Sequence, residues 1–180
     1  MTRPLPSAWP HPPRWLPRRQ RFRLPPPAAC SDWLDEAGSL TARLQRLAAG
    51  RLQVRVRHEG WARPTAEERR ALRLPNACVA WVREVELGPP GETWVQARSV
   101  LPRASLTGLG RRLTRLGNRS LGALLFRDPA LRRGIIHHAR LPAPDQPWAR
   151  RSLLILHGRP VLVAEAFLPA LWAAASRQPH

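Results

Sequence analysis

With 180 residues and 43% hydrophobic residues, the chain has the length and composition of one globular domain with a sizeable core. No apolar run reaches transmembrane length, and the charged N-terminus lacks the apolar stretch of a secretory signal. The net charge of +18 invites a nucleic-acid reading, but every basic residue is Arg, the arginines are scattered, and no zinc finger or RNP-like motif accompanies them. That pattern speaks for GC-rich codon usage and against nucleic acid as the main partner.

The first 28 residues are dense in proline and arginine. Proline forbids helix and ladder pairing and the arginines repel, so residues 1–28 are expected to be disordered or loosely docked, and dispensable for folding. The domain is then residues 29–175. "SDWLDEAGSLTARLQRLAAG" has helical spacing broken at Gly38, with Ser39 as a cap and Gly50 as a stop. "RLQVRVRHEGW" alternates as a half-buried strand, and "PTAEERRALRLP" returns to helical spacing. "CVAWVREVEL", the turn "GPPGE" and "TWVQARSVLP" read as a hairpin. "SLTGLGRRLTRLG" and "RSLGALLF" read as helical, separated by Gly117 and Asn118. "RRGIIHHARLP" is a strand, and "RRSLLILHGRPVLVAEAFLP" is a second hairpin turning at His157 to Pro160. The class is α+β: a single domain with about six antiparallel strands and helices on one side.

The last strand poses a chemical problem. In "VLVAEAFLP", both faces are apolar, yet Glu165 stands in the middle. A buried carboxylate is costly without a charged or hydrogen-bonding partner. Alternation puts Arg83 on the apolar face of its strand, with Trp81, Val85 and Leu87, and groups Arg98 with Trp94, Gln96 and Val100. Three central strands thus carry Arg83, Arg98 and Glu165 where apolar residues are expected. Such residues either specify register as a buried ion pair, or lie on an edge strand, or line a polar pocket. In a pocket, two planar guanidinium forks and a tunable carboxylate suit a dicarboxylate substrate undergoing proton transfer.

Other chemistry is weakly represented. His137 and His138 are adjacent, so a strand points them to opposite faces, and no HExxH, GxSxG or phosphate-loop motif occurs. Cys30 and Cys78 have no paired spacing, which excludes a disulfide framework or zinc module and suits a reducing cytoplasm. Cys78 reads as core and His58 as surface.

The segments "WVREVEL", "WVQARSVLP", "LGNRSLGALLF" and "WARRSLLILHGRPVLVAEAFLP", in this order, resemble the chorismate pyruvate-lyase family. The resemblance runs from about Cys30 to about Trp172. It implies a six-stranded antiparallel sheet with helical flaps enclosing a buried ligand pocket. It implies conversion of chorismate to 4-hydroxybenzoate and pyruvate for ubiquinone biosynthesis, without metal or organic cofactor, by a cytoplasmic monomer that has no membrane span. By position, Arg83 matches the arginine of the ring carboxylate, and Glu165 matches the carboxylate near the ring hydroxyl. Leu40 and Leu121 match flap positions whose backbone N–H groups meet the ligand. Arg98 matches a second pocket arginine and is expected to hold the enolpyruvyl carboxylate, which places Arg98 and Glu165 in the catalytic roles. Ala97 departs from a glycine found in the family. The rival reading is an effector-binding module of related fold from transcription regulators, against which stands the lack of a helix-turn-helix segment in this sequence.

Overall fold

The computed structural model describes residues 9, 13–17, 26, 28–107, 112–142 and 145–177. Among these, seven strands form one antiparallel sheet: β1 (Leu16–Pro17), β2 (Gln53–Ala62), β3 (Ala80–Gly88), β4 (Val95–Pro102), β5 (Arg132–Arg140), β6 (Trp148–Leu156) and β7 (Arg159–Phe167). Their spatial order is β1-β5-β6-β7-β4-β3-β2. The extra strand, beyond the six expected, comes from the N-terminal segment. Leu16 and Pro17 pair with His138 and His137. Proline is tolerated there because β1 is the outermost strand, where a missing N–H costs no ladder bond on the solvent side. Trp9 and Trp15 stack at 6.5 Å and pack on Ala139, Leu141, Ala149 and Ala166. These parts of residues 1–28 are therefore docked, and the expectation that proline bars all ladder pairing fails at this edge. Residues 1–8, 10–12, 18–25 and 27, also expected to be disordered, lie outside the described residues.

The helices are α1 (Ala28–Leu34), α2 (Leu40–Leu47), α3 (Ala66–Leu72), α4 (Leu121–Leu125) and α5 (Pro169–Ser176). Ser39 caps α2 by accepting from the Ala42 N–H, and Thr65 with Glu68 forms a complete capping box on α3. The segment after β4 is less helical than its spacing suggests. It holds short 3₁₀ turns at Arg103–Leu106 and at 112–114 before α4, and residues 108–111 lie outside the described residues.

The two sheet faces are covered differently. On one face, Leu87, Val95, Trp148 and Phe167 pack under α1, α2 and α5. At the other end of that face, Leu101, Leu154 and Val161 pack under α4 and the preceding segment. Between these apolar clusters the same face carries polar side chains. The opposite face is covered by the N-terminal segment and by α3, whose Leu72 meets Val82, Val100 and Leu162. The helices thus occupy both sides of the sheet instead of one.

Two bulges break the alternation. Val56 pairs with Val85 but His58 pairs with Glu84, so β2 carries one extra residue. Arg133 pairs with Leu154 but Ile136 pairs with Ser152, so β5 carries one extra residue as well. A bulge transfers every side chain beyond it to the other face. In consequence Glu59, the partner of Arg83 in the ladder, and Arg133 both belong to the face that carries the polar gap.

Candidate active site

The ladder registers place the polar residues in two rows across the sheet. Arg83 pairs with Ser99, Ser99 with Val163, and Val163 with Ser152. One pleat away, Val85 pairs with Ala97, Ala97 with Glu165, and Glu165 with Arg150. Arg83 and Glu165 are thus two strands and one pleat apart, roughly 12 Å between Cα atoms from ordinary sheet spacings. Both line an enclosed cavity, together with Leu40 and Thr41 of α2, Leu121 and Gly122 of α4, and Arg133.

Arg83 is 2% exposed. Its Nη1 donates to Glu59 Oε1 at 2.6 Å, and its Nη2 donates to the carbonyls of Gly117 and Arg119 at 2.7 and 3.0 Å. The arginine therefore fixes the loop that leads into α4. Leu40 and Leu121 are the first residues of α2 and α4, immediately after the caps Ser39 and Ser120. N–H groups in a first helical turn have no acceptor within the helix, and the helix dipole favours negative charge there. Two such turns converge on the cavity. They are joined by a 2.6 Å hydrogen bond between Thr41 Oγ1 and Ser120 Oγ.

The partner of Glu165 is Arg150, a residue that the sequence reading passed over. Arg150 is fully buried, and its Nε donates to Glu165 Oε2 at 2.5 Å. Its Nη1 donates to the carbonyls of Trp33 and Glu36 at 3.2 and 2.6 Å, which straps the α1–α2 connection over the pair. Glu36 in turn accepts from the Gly38 N–H. The only signal in the sequence was "WARRSLLIL", whose two arginines fall on opposite faces. Arg150 reaches the cavity side, whereas Arg151 crosses to Glu67 and Trp15 on the back.

Arg98 is not brought to this cavity. It pairs in the ladder with Glu84 and donates to Glu84 Oε1 at 2.6 Å and to Glu68 at 2.7 and 3.1 Å, on the opposite sheet face. The hairpin register is the cause: Arg83 faces Ser99, so the neighbour Arg98 must point the other way. These two carboxylates hold the Arg98 guanidinium in its charged form against burial, which opposes it. Burial raises the Glu68 carboxyl, but Arg98 and the Thr65 cap outweigh it and hold the group below its ordinary value. Arg98 joins β3, β4 and α3 as a buried ion network. Ala97, by contrast, does line the cavity, with its methyl beside Glu165.

The cavity measures about 40 Å³. Small-molecule sites run to roughly 300–1,000 Å³, so entry of a ligand requires α2 and α4 to part. A cleft of about 1070 Å³ lies outside them and shares Thr41, Ser120 and Phe126 with the inner cavity. The cleft is lined by four arginines and apolar residues but by no carboxylate, so it has no acid–base group. Neither a cluster of metal-ligating side chains nor a helix long and apolar enough to cross a membrane occurs among the described residues.

The geometry agrees with comparisons to known proteins. A solved structure, the effector domain of PhnF from Mycobacterium smegmatis, matches 74% of this chain and 90% of its own with a TM-score of 0.54 at 14% identity, a likeness of fold alone. A protein of Pseudomonas syringae pv. syringae (strain B728a) named probable chorismate pyruvate-lyase is 47% identical over 176 residues, covering 93% of this chain and 94% of the relative. A protein of the same name from Pseudomonas aeruginosa (strain UCBPP-PA14) is 46% identical over 149 residues, covering 78% and 84%. The model of the family described as chorismate lyase matches residues 13–177, so the chain belongs to the chorismate lyase family and is a lyase acting on chorismate.

Proposed function

We propose that the protein eliminates pyruvate from chorismate to give 4-hydroxybenzoate, the aromatic acid that enters ubiquinone biosynthesis, and that it does so in the cytoplasm as a monomer. The observation that carries this reading is the placement of Glu165, held by a fully buried arginine, across one enclosed cavity from Arg83.

Chorismate is a cyclohexadiene bearing a ring carboxylate, a hydroxyl on the far side of the ring and an enolpyruvyl ether on the carbon beside that hydroxyl. In the reaction the hydroxyl-bearing carbon loses its proton, and the C–H electron pair becomes the last double bond of the aromatic ring. The ether C–O bond breaks, its pair leaves with the enolpyruvate oxygen, and reprotonation with tautomerisation gives pyruvate. Atoms and electrons balance without an oxidant, reductant or added water. Aromatisation supplies the driving force, so the protein has only to bind, orient and handle one proton.

Each step has a residue in reach. The ring carboxylate docks at Arg83 and at the N–H groups of Leu40 and Leu121, where two helix starts add positive potential. The span between Arg83 and Glu165 then sets the hydroxyl end of the ring against Glu165. Arg150 holds Glu165 in place through its Nε–H, so that the carboxylate assists proton transfer at that end. The closed cavity excludes water, which strengthens each charged contact. The flat product fits the same contacts, so its release is expected to limit turnover.

Incubation of the purified protein with chorismate, followed by separate detection of pyruvate and of the hydroxybenzoate isomer, tests the reading. Pyruvate with a different aromatic acid, or no pyruvate at all, overturns it.

A further inference from the structure

The β5 bulge turns Arg133 into the cavity, and Arg133 is differently partnered from its neighbours. Arg83 faces Glu59, Arg150 faces Glu165, Arg151 faces Glu67, and Arg98 faces Glu68 and Glu84. Among the described residues Arg133 has no carboxylate partner. Its Nη1 donates to Ser152 Oγ at 3.1 Å and its Nη2 to the Gly38 carbonyl at 3.3 Å, both neutral acceptors. Its Nε is buried without a hydrogen bond. Its guanidinium lies 5.0 Å from the Phe126 ring centre. Three guanidiniums therefore meet two carboxylates around the cavity, and the surplus positive charge sits on Arg133. Burial and the nearby Arg150 both disfavour that charge, only partly offset by Glu165 and Glu36. A partly buried cation held by neutral groups is a standing cost that an anionic ligand relieves.

Its position selects which anion. Arg133 is bonded to Ser152, one strand and one pleat from Glu165 and in the same row as Arg83. A ring whose carboxylate is on Arg83 and whose hydroxyl is at Glu165 directs its ether substituent, on the carbon next to the hydroxyl, toward that neighbouring position. We propose that Arg133 binds the enolpyruvyl carboxylate of chorismate, the charged group that substrate has and 4-hydroxybenzoate lacks. This assignment rests on the lyase reading above. It makes Arg133 the residue that distinguishes substrate from retained product: both compounds engage Arg83, and only chorismate engages Arg133.

The test measures chorismate kinetics by pyruvate release and 4-hydroxybenzoate affinity by calorimetry, on the same preparations of parent, Arg133→Gln and Arg133→Lys. The expected result is a KM for chorismate raised by about 10- to 100-fold in Arg133→Gln, a smaller rise in Arg133→Lys, and a product Kd unchanged within about two-fold. Bound 4-hydroxybenzoate also reports that the fold is intact. Chorismate KM and product affinity that weaken together in both variants, or a KM that does not move, overturn the assignment. An active parent with an unchanged Arg133→Gln variant sinks the Arg133 role alone. A parent that releases no pyruvate sinks the lyase reading, and with it this one.

Discussion

Glu165 answers to two demands at once. Arg150 is fully buried and has Glu165 as its carboxylate partner, so the pair is part of the core. Yet Glu165 Oε1 accepts no hydrogen bond among the described residues, and the side chain lines the cavity. Glu165→Gln keeps the size and can still accept from Arg150, but it removes charge and the titrating proton. Turnover is expected to fall by about 10²–10⁴, the share of one acid–base group, in a pyruvate-release assay. A thermal melt on the same sample separates this from unfolding, because loss of a buried pair alone would cost about 3–5 kcal/mol of stability. A stable variant with undiminished turnover removes Glu165 from the mechanism. The need for a partner was legible in "VLVAEAFLP"; the partner was not. Alternation sorts residues of one strand into two faces but does not say which face of the next strand is the same one. That depends on register, set by turns and bulges. For this reason alternation alone groups Arg98 with the pocket and gives no sign of Arg150 as the partner of Glu165.

At the level of elements, the hairpins were the most legible part. The turn between β6 and β7 has His157 at φ 48° and Gly158 at φ 74°, the paired positive dihedrals of a tight hairpin. The start of α2 was legible through Ser39, whose cap forms as the sequence suggests. The N-terminal segment was not, because its docking depends on a tertiary surface: Trp9 and Trp15 cover Ala139, Leu141, Ala149 and Ala166, which no local pattern reveals. Deletion of residues 1–17 uncovers that surface and removes the β1 ladder. It is expected to cost about 2–4 kcal/mol in a denaturant titration, from partial exposure of apolar area at 25 cal/mol per Å². Activity at low temperature is expected to survive, since the cavity lies on the other sheet face. An unchanged midpoint would show that the tryptophans add nothing to the fold.

The whole molecule sets two charge systems back to back through one sheet. The cavity face gathers Arg83, Arg133 and Arg150 around Glu59 and Glu165. The back face closes its charges internally through Arg98, Glu68 and Glu84. The back network makes stability depend on pH. Despite burial, Arg98 and the Thr65 cap hold Glu68 below its ordinary value of 4.5, so its contribution is complete above that value and is lost as the pH falls through the lower folded value. The parent should therefore lose stability on acidification below about pH 4.5, and Glu68→Gln should flatten that part of the profile while costing about 1–3 kcal/mol at neutral pH. Urea midpoints from pH 3 to pH 7 are the measurement. Profiles of the same slope for parent and variant would show that other carboxylates govern acid unfolding.

The extra residue in β5 makes substrate choice a matter of counting. Between the ladder pairs Arg133–Leu154 and Ile136–Ser152, the strand spends Gly134 and Ile135 against Leu153 alone. Ile135 is 71% exposed and contributes nothing to the interior. Its removal would restore a regular ladder with Arg133 still opposite Leu154, and so still on the cavity face. The shortened protein should therefore keep the parent's preference for chorismate over 4-hydroxybenzoate, measured as the ratio of the two affinities; a lost preference would show that the bulge itself positions Arg133. The strand can thus deliver Arg133 to the cavity by either of two spacings from Ile136, three residues with a bulge or two without one, so this specificity tolerates the loss of a codon here.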